Sequence, residues 1–286
     1  MIDVANLNFA ISKDLGFVLE AERKSVEELC REIGISRTTY YKISSGSSPA
    51  ENKTAERIYS YIYRKGYRLN SVKEDLLKEG NDGIVLFHGS RNGLGVITAE
   101  GSRSNCDFGN GFYLSEKYEH ALSFVCDSDE SSVYSFRADL SELRVKRLDV
   151  GLEWMMAICF YRGSIKGFSA SPKIRKIAKE VDSADIVIAP IADNRMFYIM
   201  SLFASGDIGV EAALHSLAAS KLGLQYVFKS ERGLANLRPI EKLYLCREEK
   251  SERQSRLIER GKEIETKLKM AKREYRDGPY IEELFR

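Results

Sequence analysis

Long hydrophobic runs are what this sequence most plainly lacks. No apolar stretch approaches the roughly 18 residues that a membrane-spanning helix requires, and the N-terminus lacks the basic-then-apolar layout of a secretory signal. The expectation is a soluble cytoplasmic protein that does not engage a membrane. Cysteine is sparse and scattered. Cys30, Cys106, Cys126, Cys159 and Cys246 are odd in number and never form a Cys-x-x-Cys pair, which argues against a disulfide scaffold and a zinc ribbon. The histidines include no His-x-x-x-His, so no metal site is expected. An excess of one charge is missing too: 44 Lys and Arg face 42 Asp and Glu, which gives no strong steering toward nucleic acid. No internal repeat or low-complexity tract is visible. What is present is apolar material, 43% of residues beside 30% charged, enough for a real core and incompatible with wholesale disorder.

The 286 residues fit one large domain plus a small one and divide into three segments, 1–80, 81–246 and 247–286. The first reads as all helix: Pro49 is its only proline, and apolar residues recur at three and four. The second is rich in short β-prone runs, 84–90, 111–115, 132–140, 185–192, 225–230 and 241–246. Helical patterns lie between them at 118–125, 152–161, 173–181, 195–204 and 210–219. The helices are clumped and do not alternate with strands, which points to an α+β domain over a doubly wound parallel sheet. The third segment holds 22 charged residues in 40. There Leu257, Gly261, Ile264, Leu268, Ala271 and Tyr275 fall at 4-3-4-3-4 spacing, a helix with a narrow apolar seam that Asp277-Gly278-Pro279 ends. The seam suits a helix lying on its own domain, or a docking or dimerisation helix.

Residues 25–46 carry a local pattern. Ser25 with Glu28 is a capping box opening a helix whose inner face is Val26, Leu29 and Ile33. Gly34-Ile35 makes a tight turn, and Ser36 caps the next helix. That second helix turns Tyr40 and Ile43 inward and exposes Arg37, Thr38, Thr39, Tyr41 and Lys42. The segment resembles a helix-turn-helix of the phage-repressor type, in which the second helix enters the major groove. DNA binding through those five residues is the expectation, with a plain helical bundle for protein contact as the alternative.

The central segment contains Leu86-Phe87-His88-Gly89-Ser90, then Ser102-Arg103 and Asp107-Phe108-Gly109-Asn110-Gly111-Phe112-Tyr113-Leu114-Ser115. A histidine ending an apolar strand, followed by glycine, leaves backbone open to a flat polar ligand. Tyr113 offers a ring face for stacking. Here the sequence resembles the ADP-ribosyltransferase superfamily, in its diphtheria-toxin and poly(ADP-ribose) polymerase branch. His88-Gly89-Ser90 and Gly111-Phe112-Tyr113 match its first two elements, and Gln225-Tyr226-Val227-Phe228 falls at its third. It is closer still to the bacterial domain-of-unknown-function 3990 family, through Ser102-Arg103, Asp107 to Leu114, Ala192 to Arg195 and Gln225-Tyr226.

The resemblance implies a split antiparallel sheet with a cleft between its halves, and NAD used as a substrate. His88 would hold the adenosine-side ribose, Gly89 the nicotinamide carboxamide, and Tyr113 and Tyr118 the two faces of the nicotinamide ring. Arg103 would hold the pyrophosphate, with Ser90, Asp107, Phe108, Gly109 and Gly111 completing the pocket. Arg103 and Asp107 also suit a simple loop ion pair. Gln225 departs from the glutamate of the polymerase branch, which disfavours chain elongation and favours transfer of a single ADP-ribose. Asp193 is the candidate for the missing negative charge or for the acceptor's base, with Asp107 as its rival. No Gly-x-Gly-x-x-Gly opens a helix after a strand and no P-loop occurs, which agrees with NAD as substrate and not as hydride carrier. The expected protein is thus a mono-ADP-ribosyltransferase modifying protein, RNA or DNA. A toxin or defence effector is the setting, with an antitoxin or a second copy as further partner. The alternative is a non-catalytic, NAD- or ADP-ribose-sensing DNA-binding regulator. An RNA 2′-phosphotransferase ranks last, because residues 84–246 balance 19 basic against 19 acidic groups.

Overall fold

The computed structural model describes residues 1–47, 50–80, 82–218, 223–275 and 278–285. Pro49, and the Ala219 and Asp277 assigned above to helix ends, lie outside them. The described residues form an α+β structure of twelve helices and nine strands. The chain opens with β1 (Ile2–Asp3) and five helices: α1 (Ile11–Glu22), α2 (Val26–Ile33), α3 (Arg37–Ser44), α4 (Asn52–Arg64) and α5 (Leu69–Lys78). There follow β2 (Ile84–Ser90), β3 (Val96–Ile97), β4 (Phe112–Ser115), α6 (Tyr118–Ser123), β5 (Ser132–Ala138), β6 (Val145–Arg147), α7 (Leu152–Tyr161) and α8 (Pro172–Asp182). The rest is β7 (Ile186–Pro190), α9 (Asn194–Ala204), α10 (Val210–Ala218), β8 (Leu224–Phe228), α11 (Glu231–Leu234), β9 (Leu237–Tyr244) and α12 (Arg247–Glu274). No described helix is long and apolar enough to cross a membrane.

Seven strands make one sheet in the order β6-β7-β8-β4-β2-β5-β9, antiparallel except for β6 beside β7. Alternation along β7 divides two cores: Val187 and Ala189 face the cluster under α7 to α10, while Ile186 and Ile188 face the cluster with Leu86 and Phe136. Helix α7 carries apolar residues almost all round and buries six consecutive residues from Trp154 to Cys159, as a central helix does.

Residues 1–80 are not wholly helical: Ile2 and Asp3 pair with Ile97 and Val96. Two-residue strands give too short a pattern for sequence to show. Strand β9 begins before the expected 241–246 and includes Pro239. The proline is tolerated because β9 is an edge strand and the register slips there, opposite Ser135/Phe136.

The N-terminal helices dock on the sheet and on α12. Tyr59 stacks on Tyr244 at 4.7 Å, and Lys73 bridges Asp14 at 2.7 Å and Glu241 at 2.5 Å. The seam of α12 is occupied within the chain: Ile264 and Leu268 join the core beneath α9 and α10. The structure therefore gives a helix lying on its own protein and corrects the docking or dimerisation reading of that seam. A Cβ at Gly261 would fall 1.8 Å from the Arg195 guanidinium carbon, so the end of the Arg195 side chain would have to move.

Candidate functional site

Strands β2 and β4 register at a single pair, Phe87 with Ser115. By contrast β2 follows β5 from Ile84–Ala138 to Ser90–Ser132, and β4 follows β8 from Phe112–Phe228 to Ser115–Gln225. The sheet is thus joined at a narrow seam, with β6, β7, β8 and β4 on one side and β2, β5 and β9 on the other. A cavity of about 710 Å³ lies at that seam, a size typical of small-molecule and cofactor sites. His88 and Gly89 of β2, Tyr113 of β4 and Gln225 of β8 all line it, with Arg103 and Asp107 of the intervening loop.

His88 Nδ1 lies 2.7 Å from the Tyr113 carbonyl oxygen. A carbonyl only accepts, so Nδ1 carries the proton and Nε2 of the neutral ring remains an acceptor. Burial lowers the His88 pKa, which keeps the ring neutral. The ring stacks on Phe112 at 4.5 Å. Gly89 is required by close packing: a Cβ would stand 2.4 Å from the Ala121 carbonyl oxygen of α6. The Tyr113 hydroxyl donates to Gly109 O at 2.7 Å and accepts from Phe108 N at 3.0 Å, which ties the loop to β4. Gly111 serves the same loop, since a Cβ would meet Val227 Cγ1 at 2.7 Å.

The polar centre is a buried triad that sequence did not show. Asp107 accepts from Arg162 Nε at 2.7 Å and from Gln225 Nε2 at 2.9 Å, and Gln225 Nε2 also donates to Pro190 O. Burial pushes the Asp107 carboxyl up, and the Arg162 guanidinium opposes this. Asp107 therefore pairs with Arg162 and not with Arg103, which corrects the loop-pair expectation. Arg103 is exposed, and its guanidinium makes no hydrogen bond or ion pair among the described residues.

Other expected residues fall elsewhere. Tyr118 is 1% exposed, donates to Glu249 Oε1 at 2.9 Å and accepts from Asn70 Nδ2 at 2.9 Å. It anchors the start of α6 from behind and does not line the cavity; the aromatic that lines it on this side is Phe124, the residue that follows α6, 49% exposed. Ser90 donates to Gly93 O and shapes a turn. Phe108 is fully buried in the core, and Gly109 and Gly111 support the loop without lining the cavity. Asp193 caps α9, accepting from the backbone of Arg195 and Met196 at 3.0 Å, and lines a neighbouring cavity of about 470 Å³.

Arg162, Phe124, Phe197 and Cys106 also line the first cavity and were not singled out from sequence as site residues. Arg162 follows the last turn of α7, and no motif surrounds it. Burial pushes the Cys106 thiol up. Among the described residues no cluster of His, Cys, Asp or Glu is arranged to hold a metal, and all five cysteines are free.

The N-terminal helices meet as α2, a left-handed Gly34 and α3, with the Ser25–Glu28 box and the Ser36 cap both formed. Arg37, Thr38, Tyr41 and Lys42 are exposed, and Thr39 is half-buried with its hydroxyl 2.8 Å from Ser36 Oγ.

These features define a class: an α+β protein with a ligand-sized cavity where a mostly antiparallel sheet is joined by one strand pair. The chain belongs to the family described as "Protein of unknown function (DUF3990)", whose model matches residues 84–238, more than half its length. No curated protein and no solved structure matches it.

Proposed function

We propose that the chain is a mono-ADP-ribosyltransferase that binds NAD in the cavity at the β2–β4 seam. The observation that carries this reading is the convergence of His88, Gly89, Tyr113 and Gln225, from three strands, on one cavity of about 710 Å³. A neutral histidine with a free Nε2 is suited to accept from a ribose hydroxyl. A half-buried tyrosine whose hydroxyl is already held by Gly109 and Phe108 offers its ring and not its oxygen. Phe124, not Tyr118, is the aromatic available on the α6 side.

In the proposed reaction the C1′–nicotinamide bond breaks and its electron pair leaves with neutral nicotinamide. An oxygen or nitrogen of the acceptor then forms the new bond to C1′ and loses its proton. Positive charge develops on the ribose ring. Gln225 is neutral, and the Asp107 carboxylate one hydrogen bond behind it is itself paired with Arg162, so Asp107 orients the Gln225 amide and adds a negative field weaker than that of an unpaired glutamate. Arg162 holds that carboxylate in place. Asp193, committed to capping α9, is not the reading's acid.

The N-terminal helices fit a helix-turn-helix presenting Arg37, Thr38, Thr39, Tyr41 and Lys42 to DNA, which would direct the enzyme to its target or to an operator. A non-catalytic sensor of NAD is the second reading, favoured by the neutral Gln225. Nicotinamide release from NAD by the purified chain separates the two. Steady release supports the transferase, NAD bound in calorimetry but never cleaved supports the sensor, and no binding removes both.

A further inference from the structure

The neighbouring cavity, about 470 Å³, runs on from the first through shared walls at Arg103, Phe124, Arg162, Ala192 and Asn194. Six arginines line it: Arg91, Arg103, Arg162, Arg195, Arg253 and Arg260. Two carboxylates, Asp127 and Asp193, are in the same wall, the first paired with Arg91 at 2.8 Å and the second spent on the α9 cap. Arg253 is held by Ser123 and Glu119, and Arg162 by Asp107. Arg195 donates to the Leu257 carbonyl and has no carboxylate partner among the described residues.

We infer that this second cavity binds the phosphodiester backbone of a single-stranded nucleic acid, the acceptor of the proposed transfer. Four observations carry the inference. The first cavity is by itself within the range for a whole ligand, so the arginine-lined space is surplus to a dinucleotide. Guanidinium groups outnumber carboxylates six to two in its walls, and planar forks of this kind match phosphate oxygens. The cations crowd one another: burial lowers the Arg253 pKa against the pull of Glu119, with Arg260 adding to the lowering, and burial with Arg253 nearby pulls His120 down to about 4, so His120 stays neutral within the cluster. Finally, Phe124 projects half-exposed at the junction of the two cavities, where an unpaired base can stack.

The role as acceptor site rests on the NAD reading of the first cavity; retention of a strand does not. A strand lying in the arginine-lined space brings a ribose or base heteroatom to the mouth of the first cavity. There the nucleophile forms the new bond to C1′ once the bond to nicotinamide has broken and its electron pair has left with nicotinamide, and the nucleophile's proton passes to solvent.

The test uses the full chain and labelled 20-mers of single-stranded RNA, single-stranded DNA and duplex DNA in fluorescence anisotropy at two salt concentrations. Arg253→Ala/Arg260→Ala and Arg91→Glu are expected to weaken single-strand binding at least about 10-fold and to flatten its salt dependence. Lys173→Glu, on the exposed face of α8, controls for net charge, and Arg37→Ala is expected to lower duplex binding alone. Melting curves identify any variant that fails to fold, and Arg91→Glu, an exposed site, stands in for one that does. The RNA and DNA arms decide which strand is taken. Equal binding by parent and cavity variants, or labelled NAD passing to polypeptide and never to a strand, would overturn the inference. Nicotinamide release by the parent is measured alongside. Release without strand binding sinks this inference alone, and strand binding lost in the variants without release sinks the transferase reading and the acceptor role with it, leaving the strand site standing.

Discussion

The two cavities share a wall and differ in how their chemistry is assembled. The first draws on strand ends, where one or two residues in a row each have a visible purpose: an imidazole, a glycine that lets α6 approach, a phenol that ties down its own loop. The second gathers six guanidinium groups from the β2–β3 connection, the loop before β4, the end of α7, the start of α9 and two turns of α12. Its charge is a property of the fold and of no segment. The comparison teaches that a domain balanced in charge overall can still focus one sign where a ligand meets it.

The largest expected effect lies at the carboxylates, Asp107 of the first cavity and Asp193 of the second. Asp107→Asn removes the charge beside Gln225 and leaves Arg162 without its ion-pair partner. Nicotinamide release per folded molecule is expected to fall about 100- to 1000-fold, with a lower melting temperature. Asp193→Asn keeps a competent helix cap and is expected to change release less than about 3-fold. The reverse ranking would move the acid from the first cavity to the second.

A smaller effect concerns α6, which serves both cavities and is anchored through Tyr118 to Glu249. Burial pushes the Glu249 carboxyl up to about 7 from its ordinary 4.5. The unfolded chain releases this proton first, so the group's stabilisation is full below about pH 4.5 and is lost as pH rises to about 7. The loss is at most about 3 kcal/mol. Neutral His120, pulled down to about 4, runs the other way, costing stability as pH falls from 6.5 toward 4. Subtracting the Glu249→Gln curve from the parent's isolates the first group. The difference should change across pH 4.5 to 7, and parallel denaturation curves would show that Glu249 does not titrate there.

Much of the fold was legible. The helix at 152–161 and the strand at 84–90 fall where the pattern placed them, because α7 is apolar almost all round and β2 opens on the apolar run Ile84 to Phe87 inside the sheet. The Ser25–Glu28 box and the Ser36 cap are local chemistry and were readable as such. Strands of two or three residues, and Pro239 in an edge strand, were not, because register and neighbours decide them. In the candidate site the strand-borne residues were legible and the partners were not. Arg162 meets Asp107 only through tertiary packing. Tyr118 turned away from the cavity because the first residue of α6 faces α5 and α12, while Phe124, just past its last turn, faces the opening. The arginine-lined cavity was hidden by the balance of charges along 84–246, and two of its members, Arg253 and Arg260, belong to α12.

What most needs testing is the proposal that NAD lodges with its pyridine end against Gly89 and Tyr113 and a ribose hydroxyl on His88. Its most direct test is the rate of nicotinamide release by the parent, His88→Ala and Tyr113→Ala, with melting curves to confirm folding. Measurable release by the parent and a loss of about 100-fold or more in each variant are expected. Release that persists unchanged in both folded variants would place the chemistry elsewhere and contradict it.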